Sequence, residues 1–460
     1  MVSTRPVVAI VGGGFTGATI AYRLAESRVG AEIVVVEPRP ALGGGLAYSS
    51  QEPAHRVNVP ATRMSLRTDQ PQHFSDWLAR TGALSDDADA VSARGDLFPR
   101  RAMFGRYVQE HLAPHLASGR IRHARTRAKG IERRSDAFRI ALAGGGELDA
   151  DLVVLAMTHP LPALPAPLAS LAGHPALIAD PYAEEALNAI TPDANVLVVG
   201  TGLTAADVVA GLDRLGHTAN IAMLSRHGLR SGQHANTTWE AWGDFATQPA
   251  STALALLKAI RLQLALATAE GLDWQPVFDT LRTQAPAIWA ALPQAERRRL
   301  IRHLRSYWDA HRFRIAPQVA SVMQRRERQG TLRLVAGRLL AAIPGERGID
   351  VTYRRRRSNE AVSEQFDAVV ITTGPAHGRI IAGNPALAGL AAAGLISADA
   401  LGLGLATGID GHALDANGNP VTNLYIAGPL ARATFGELMG LPEVTRYAEF
   451  IADEVLQALA

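Results

Sequence analysis

The sequence predicts an α/β fold with two parallel-sheet units, and three observations predict it. A short apolar run, a glycine turn and a helical pattern open the chain. The same arrangement returns from residue 196, and each copy is followed by β-rich sequence that closes on another short apolar run. In the first copy Val7–Val11 is the strand, Gly12-Gly13-Gly14-Phe15-Thr16-Gly17 the turn, and a helical pattern runs to Leu24. A second strand over residues 33–36 ends at Glu37, about 20 residues past the last glycine, where a Rossmann unit carries its ribose-binding acid. In the second copy Val196–Val199 leads into Gly200-Thr201-Gly202-Leu203-Thr204-Ala205, a helix to Leu215 and a strand over 221–224. Gly12, Gly14 and Gly17 correspond to Gly200, Gly202 and Ala205. A lone glycine motif is a weak signal, but a strand before it, a helix after it and an acid in register make it strong. The fold class is therefore α/β, with two Rossmann-type dinucleotide-binding domains, β-meanders and a helical insertion.

Residues 151–160 and 367–375 read as strands that return from a β-meander to the parent sheet. Between the second unit and its meander the chain is rich in Ala, Leu, Gln and Arg at helical spacing. This insertion suits packing or an oligomer surface as well as it suits a substrate lid. The expected organisation is a first dinucleotide domain over 1–175, a second unit over 176–235, the helical insertion over 236–330, a meander and return strand over 331–375, and a C-terminal part over 376–460 that completes the first domain.

With 460 residues the chain exceeds one ordinary core, and 47% apolar with 19% charged residues is globular composition. A formal charge of +3 gives mild attraction for anions. The arginine runs 297–299 and 354–357 read as solvated faces of a helix and a hairpin, so no nucleic-acid partner is expected. No cysteine is present, which removes thiolate metal sites and the cysteine pair of disulfide reductases of similar fold. No metal site is expected. The N-terminus has no signal pattern, and the apolar stretch 253–267 is interrupted by Lys258 and Arg261 and is too short for a bilayer. A cytoplasmic protein without a membrane partner follows, and a homo-oligomer stays open.

Glycine is needed in the first turn so that the backbone approaches a pyrophosphate held by N–H groups at the helix start. Gly12, Gly14, Phe15, Thr16 and Gly17 are the candidates there. Glu37 can accept from a ribose diol and would repel a 2′-phosphate, so this site suits FAD or NAD. In the second unit Gly200, Gly202, Leu203 and Thr204 form the turn. The position matching Glu37 is Ser225, followed by Arg226, and a hydroxyl with a guanidinium suits a 2′-phosphate. NADPH is the expected second dinucleotide; Arg230 either assists or is an ordinary loop arginine. A strand over 424–427, then Gly428, Gly440 and a final helix from Glu443, match the segment that completes an FAD site, with a helix N-terminus toward the flavin.

The segments GGGFTGATIA, GGGLAYSS, HRVNVPATRMS (55–65), RSYWDAHRFRIAP (305–317) and LYIAGPLARATFGELMGLPEV (424–444) together resemble the bacterial FAD-NAD(P)-binding family, which is related to flavin-containing and N-hydroxylating monooxygenases. By this resemblance Gly44, Gly45, Leu46, Tyr48, Asn58, Pro60 and Met64 line the flavin, with Thr158 and Pro429. The first closing strand ends Met157-Thr158-His159 where relatives carry Ala-Thr-Gly, and Gly428 precedes a proline where the reductase branch carries an aspartate. The ketone-oxygenating fingerprint is absent. The resemblance implies an FAD- and NADPH-dependent monooxygenase that uses O2 on a small nucleophilic substrate such as an amine. A reductase or dehydrogenase without oxygenation, and a non-catalytic flavin-binding partner or sensor, are the alternatives. Arg305, Tyr307, Trp308, His311 and Arg312 are candidates for the substrate side, although an ordinary helix face explains them as well.

Overall fold

The computed structural model describes residues 5–235 and 239–460. The first unit is a six-stranded sheet in the order His412–Leu414, Pro420–Ile426, Leu152–Leu155, Val7–Val11, Glu32–Val36, Ile121–Ala124. Val7–Val11 is central and parallel to both neighbours, with Ile10 opposite Val35 on one side and Val154 on the other. Helices cover both faces of such a strand, so it reads as a continuous apolar run, and Val8, Ala9 and Ile10 are buried. The sheet draws on both ends of the chain. Pro420–Ile426 lies parallel to Leu152–Leu155, with Leu424 opposite Val153, and the final helix Glu443–Leu459 packs on Phe15–Glu26.

The second unit is a seven-stranded sheet in the order Ala361–Phe366, Ile349–Arg355, Leu332–Pro344, Ile221–Ser225, Val196–Val199, Ala368–Ile371, Leu177–Ile178. The two meanders, alike in sequence, are built differently. The first (Ala128–Arg134, Ala137–Leu142, Glu147–Ala150) is a separate three-stranded sheet. In the second, Leu332–Pro344 starts parallel to Ile221–Ser225 and continues antiparallel to Ile349–Arg355 past a bulge between Leu339 and Ala341. A strand of 13 residues is long enough to serve both partners.

The insertion folds as Ala253–Ala269, Gln275–Thr283, Ala285–Ala291, Gln294–Arg312 and Pro317–Arg328, around a cluster that includes Phe245, Leu256, Val277, Leu281 and Leu292. Its expected start at 236 lies outside the described residues. Its last helix packs on Leu203–Arg214.

A buried ion pair joins the two units. Arg101, first residue of the helix Arg101–Ala117, places Nη2 2.8 Å from Asp207 Oδ2 on the helix Leu203–Arg214. Its Nε donates to the Arg56 carbonyl at 2.8 Å, and the Tyr182 hydroxyl donates to Asp207 at 2.6 Å. Arg101 is 8% exposed and Asp207 2%. Breaking such a pair leaves one charge buried without its partner, a loss of about 3–5 kcal/mol. Asp207→Asn is expected to lower stability by that amount, read as the midpoint of urea unfolding; an unchanged midpoint would show that the pair does not hold the units together.

Candidate functional site

The first glycine turn is dictated by close packing. Gly12 has φ +109°, and a Cβ on it would lie 2.5 Å from the Ala156 carbonyl oxygen. On Gly17 a Cβ would lie 1.9 Å from the Gly12 carbonyl oxygen. Gly14 differs: a Cβ there would meet only the Gly45 Cα, at 3.6 Å. Gly14 begins the helix Phe15–Glu26 with no side-chain cap, so the first N–H groups of that helix face open space. That space is a cavity of about 520 Å³ between the two units and the insertion.

Glu37 is 4% exposed and stands at the end of its strand, beside the turn. Its Oε2 accepts from Gly13 N–H at 2.9 Å, and its Oε1 accepts from the Arg39 N–H at 3.0 Å. An ion pair to Arg39 at 3.1 Å offsets part of the charge that was expected to repel a 2′-phosphate. With Oε1 taken by both the Arg39 N–H and its guanidinium, Oε2 keeps a further lone pair for a ribose hydroxyl.

The cavity gathers Gly12, Gly14, Phe15, Thr16, Glu37, Gly44, Gly45, Leu46, Tyr48, Asn58, Pro60, Met64, Thr158, Pro429 and Gly440 from the first unit, and Leu203 and Thr204 from the second. Gly17 and Gly428 do not line it; a Cβ on Gly428 would press 2.8 Å from the Thr16 hydroxyl, so this glycine serves packing. Tyr48 is held edge-on by Phe104 at 4.7 Å, and burial pushes its hydroxyl up to about 12, which keeps the proton on at neutral pH. His234 bonds through Nε2 to the Asn58 carbonyl at 3.0 Å. Burial, with Arg314 nearby, lowers His234 to about 4.

The insertion closes the far wall with charges that sequence reasoning did not single out. Arg314 pairs with Asp279 at 2.8 Å, and Arg282 with Glu443 at 2.7 Å. Arg312, a candidate from the sequence, lines the cavity and pairs with Glu437 at 2.9 Å. Arg63 also lines it and has no ion pair among the described residues; burial, then Arg282, pushes its guanidinium below its ordinary value. Arg305, Tyr307 and Trp308 line a different, second cavity. His311 stacks on Phe278 at 4.4 Å and bonds the Tyr307 carbonyl at 2.7 Å.

The second glycine turn repeats the first. Gly200 has φ +126° and a Cβ on it would lie 2.4 Å from the Thr372 carbonyl oxygen, whereas a Cβ on Gly202 would meet nothing within 4 Å. Gly202 begins Leu203–Arg214, again without a side-chain cap. The Ser225 hydroxyl is engaged in its own turn, accepting from Thr201 Oγ1 at 3.0 Å and from the Gly228 N–H at 3.1 Å. Arg226 is exposed and has no ion pair among the described residues. Arg230 is paired with Glu327, and Arg356 bonds His227, which brings one member of the 354–357 run to the end of the Ser225 strand.

Residues 9–160 match the FAD-NAD(P)-binding family. The resemblance read from the sequence is borne out over these residues, and the matched segment holds the first glycine turn and most of the cavity's first-unit wall. No curated protein matches the sequence. Among solved structures, the chain is similar to an ornithine hydroxylase from Pseudomonas aeruginosa (18% identity, TM-score 0.66, covering 99% of this chain and 100% of that one). It is also similar to an ornithine N-hydroxylase from Kutzneria sp. 744 in a complex with reduced FAD, NADP+ and L-ornithine (17%, TM-score 0.64, 99% and 100%). A third is an FAD-bound cadaverine monooxygenase from Erwinia amylovora (14%, TM-score 0.64, 100% and 95%). At these identities the likeness shows the fold alone, an α/β architecture of two parallel-sheet units over the whole chain.

Arg63 and Arg314 lie inside family-like segments and could have been found there. Phe278, Asp279 and Arg282 sit in helix pattern with nothing to distinguish them, and Arg101 and Tyr182 depend on tertiary contact. The pH response follows from His234. Its folded value of about 4 lies below the ordinary 6.5, so the unfolded chain takes the proton first. The stability that it contributes is fully present above pH 6.5 and is lost as pH falls toward about 4, at about 1.4 kcal/mol per pH unit. His234→Gln is expected to flatten the slope of urea-unfolding free energy against pH in that window; an unchanged slope would show that His234 is already charged in the fold.

Proposed function

We propose that this chain is an FAD-dependent, NADPH-using monooxygenase that oxygenates a small nucleophilic substrate, with an amine as the class. One observation carries the reading: the uncapped N-termini of both glycine-turn helices, at Gly14 and at Leu203-Thr204, open on the same cavity, whose remaining wall is the insertion. The fold-level neighbours that act on ornithine and cadaverine support it, as analogy. When bound, reduced FAD supplies the activation of O2.

The protein's own residues bind, orient and shield. N–H groups after Gly14 would hold the FAD pyrophosphate, and Glu37 would accept from the ribose. Gly44, Gly45, Leu46, Tyr48, Asn58, Pro60, Met64, Thr158, Pro429 and Gly440 would hold the rest of the molecule. Tyr48, which lines the cavity, keeps its proton at neutral pH. N–H groups after Gly202 would hold the NADPH pyrophosphate. Arg226 and Arg356 would flank the 2′-phosphate, while Ser225 shapes the turn beneath them. Phe278, Phe313, Leu441 and Val444 give the substrate end apolar walls that exclude water. We place the reaction in the cytoplasm, where NADPH is supplied.

The deciding experiment is oxygen uptake by the FAD-loaded enzyme with NADPH and a panel of ornithine, lysine and cadaverine, read against hydroxylated product. Product in step with O2 is expected; NADPH oxidation to a reduced acceptor without product would favour the reductase alternative. A Cβ at Gly14 would make only an ordinary contact with the Gly45 Cα at 3.6 Å, and one at Gly202 would meet nothing within 4 Å, so both valine variants should fold. Gly14→Val is expected to lose FAD, and Gly202→Val to keep FAD but resist anaerobic reduction by NADPH; loss of flavin from both would merge the two sites. Arg226→Ala is expected to weaken NADPH roughly ten- to a hundredfold and leave NADH unaffected, since a charge-assisted contact contributes about 1.5–3 kcal/mol. Equal weakening of both nucleotides in anaerobic flavin reduction would make Arg226 structural.

A further inference from the structure

The insertion encloses a second cavity of about 180 Å³ that the reading above does not use. Its wall is almost wholly apolar, with Leu256, Leu281, Ile288, Leu304 and Trp308 on it, and Phe278 is the one residue among those described that also lines the main cavity. Two guanidinium groups, Arg305 and Arg432, and one carboxylate, Glu437, break the apolar lining.

Arg432 is 7% exposed and makes no side-chain hydrogen bond or ion pair among the described residues. Its neighbours are already committed. Glu437 accepts from Arg312 at 2.9 Å, and Asp309 pairs with Arg305 at 3.4 Å. Arg305 also places Nη2 3.2 Å from His377 Nε2. His377 and His159, whose rings lie 4.3 Å apart, supply no opposite charge. Arg312 also lies 3.6 Å from Glu443, which Arg282 holds at 2.7 Å, so four arginines, Arg282, Arg305, Arg312 and Arg432, face three carboxylates, Asp309, Glu437 and Glu443, and the unmatched charge falls on Arg432, the one of the four without an ion pair among the described residues. A buried charge without a partner is destabilising and is kept where something else supplies the partner.

We propose that this second cavity binds an apolar monocarboxylate, an alkyl or aryl acid whose carboxylate takes Arg432 as its counter-ion and whose body fills the apolar chamber. The size agrees, since a cavity of about 150 Å³ lined by aliphatic and aromatic groups accommodates benzene. The charge agrees, since one carboxylate balances the cluster. The site lies behind the main cavity across Phe278 and stands independently of the monooxygenase reading.

The test is calorimetric titration of the FAD-loaded protein with hexanoate, beside hexylamine and 1-hexanol. Hexanoate is expected to bind at one site, hexylamine not at all, and hexanol more weakly. Arg432→Met should weaken hexanoate roughly tenfold or more and, by removing an unpaired buried charge, raise the Tm of the ligand-free protein. Leu304→Trp, which fills the chamber and leaves every charge in place, should abolish binding even if Arg432→Met fails to fold. Arg63→Ala in the main cavity should leave hexanoate binding unchanged. No hexanoate binding, hexanol binding as tight as hexanoate, retention in Leu304→Trp, or loss that follows Arg63 in place of Arg432 would each overturn the proposal.

Discussion

The contact between Arg101 and Asp207 is the constraint on which the rest of the site depends. It is the buried charge pair that fixes one glycine-turn helix relative to the other unit, and both Arg101 and Tyr182 form part of the main cavity wall. The Arg56 carbonyl that Arg101 also holds lies in the 55–65 segment, so the loop bearing Asn58, Pro60 and Met64 takes its position from the same guanidinium. The seam between the units and the floor of the cavity are thus one network, and a shift at Asp207 moves the two glycine turns relative to each other.

Each unit has the same local arrangement: a first glycine forced by a backbone carbonyl, and a second, at the start of the helix, left open; the third position is a forced glycine, Gly17, in the first unit and Ala205 in the second. Gly12 and Gly200 are forced by the carbonyls of Ala156 and Thr372, the residues that follow the two closing strands. The turn and the closing strand are therefore one packed object in each half, and this explains why the sequence repeats both. The halves diverge beyond that object. The first meander stands apart, whereas the second is a continuation of its sheet, and that continuation brings Arg356 to the Ser225 strand.

The architecture was legible because its signals are short-range. Apolar runs of strand length, glycines at fixed offsets and a strand-terminal acid are written in consecutive residues, and the repeat at Gly200 doubled the signal. The site was legible only where a turn or a family-like segment marked it. Arg356 looked like one of four solvated arginines because its partner, His227, comes from the loop that follows the strand Ile221–Ser225, remote in sequence. Arg432 lay inside a family-like segment, yet nothing local distinguishes a guanidinium that lacks a counter-charge from one that has it. That Gly428 packs on Thr16, and that Ser225 is occupied by its own turn, are likewise matters of three-dimensional neighbours that spacing does not encode.

The first sheet takes its second strand from near the start of the chain and Pro420–Ile426 from near the end, on opposite sides of the whole second unit. During synthesis the second unit is complete once Ala368–Ile371 has left the ribosome, while the earlier-made strands still wait for a neighbour. Until Pro420–Ile426 arrives, Leu152–Leu155 presents an unpaired apolar edge, the kind that recruits other chains. The order of assembly therefore reverses the order of translation: the domain begun first is finished last, and nascent chains stalled before residue 420 are the population most exposed to aggregation and most in need of a chaperone.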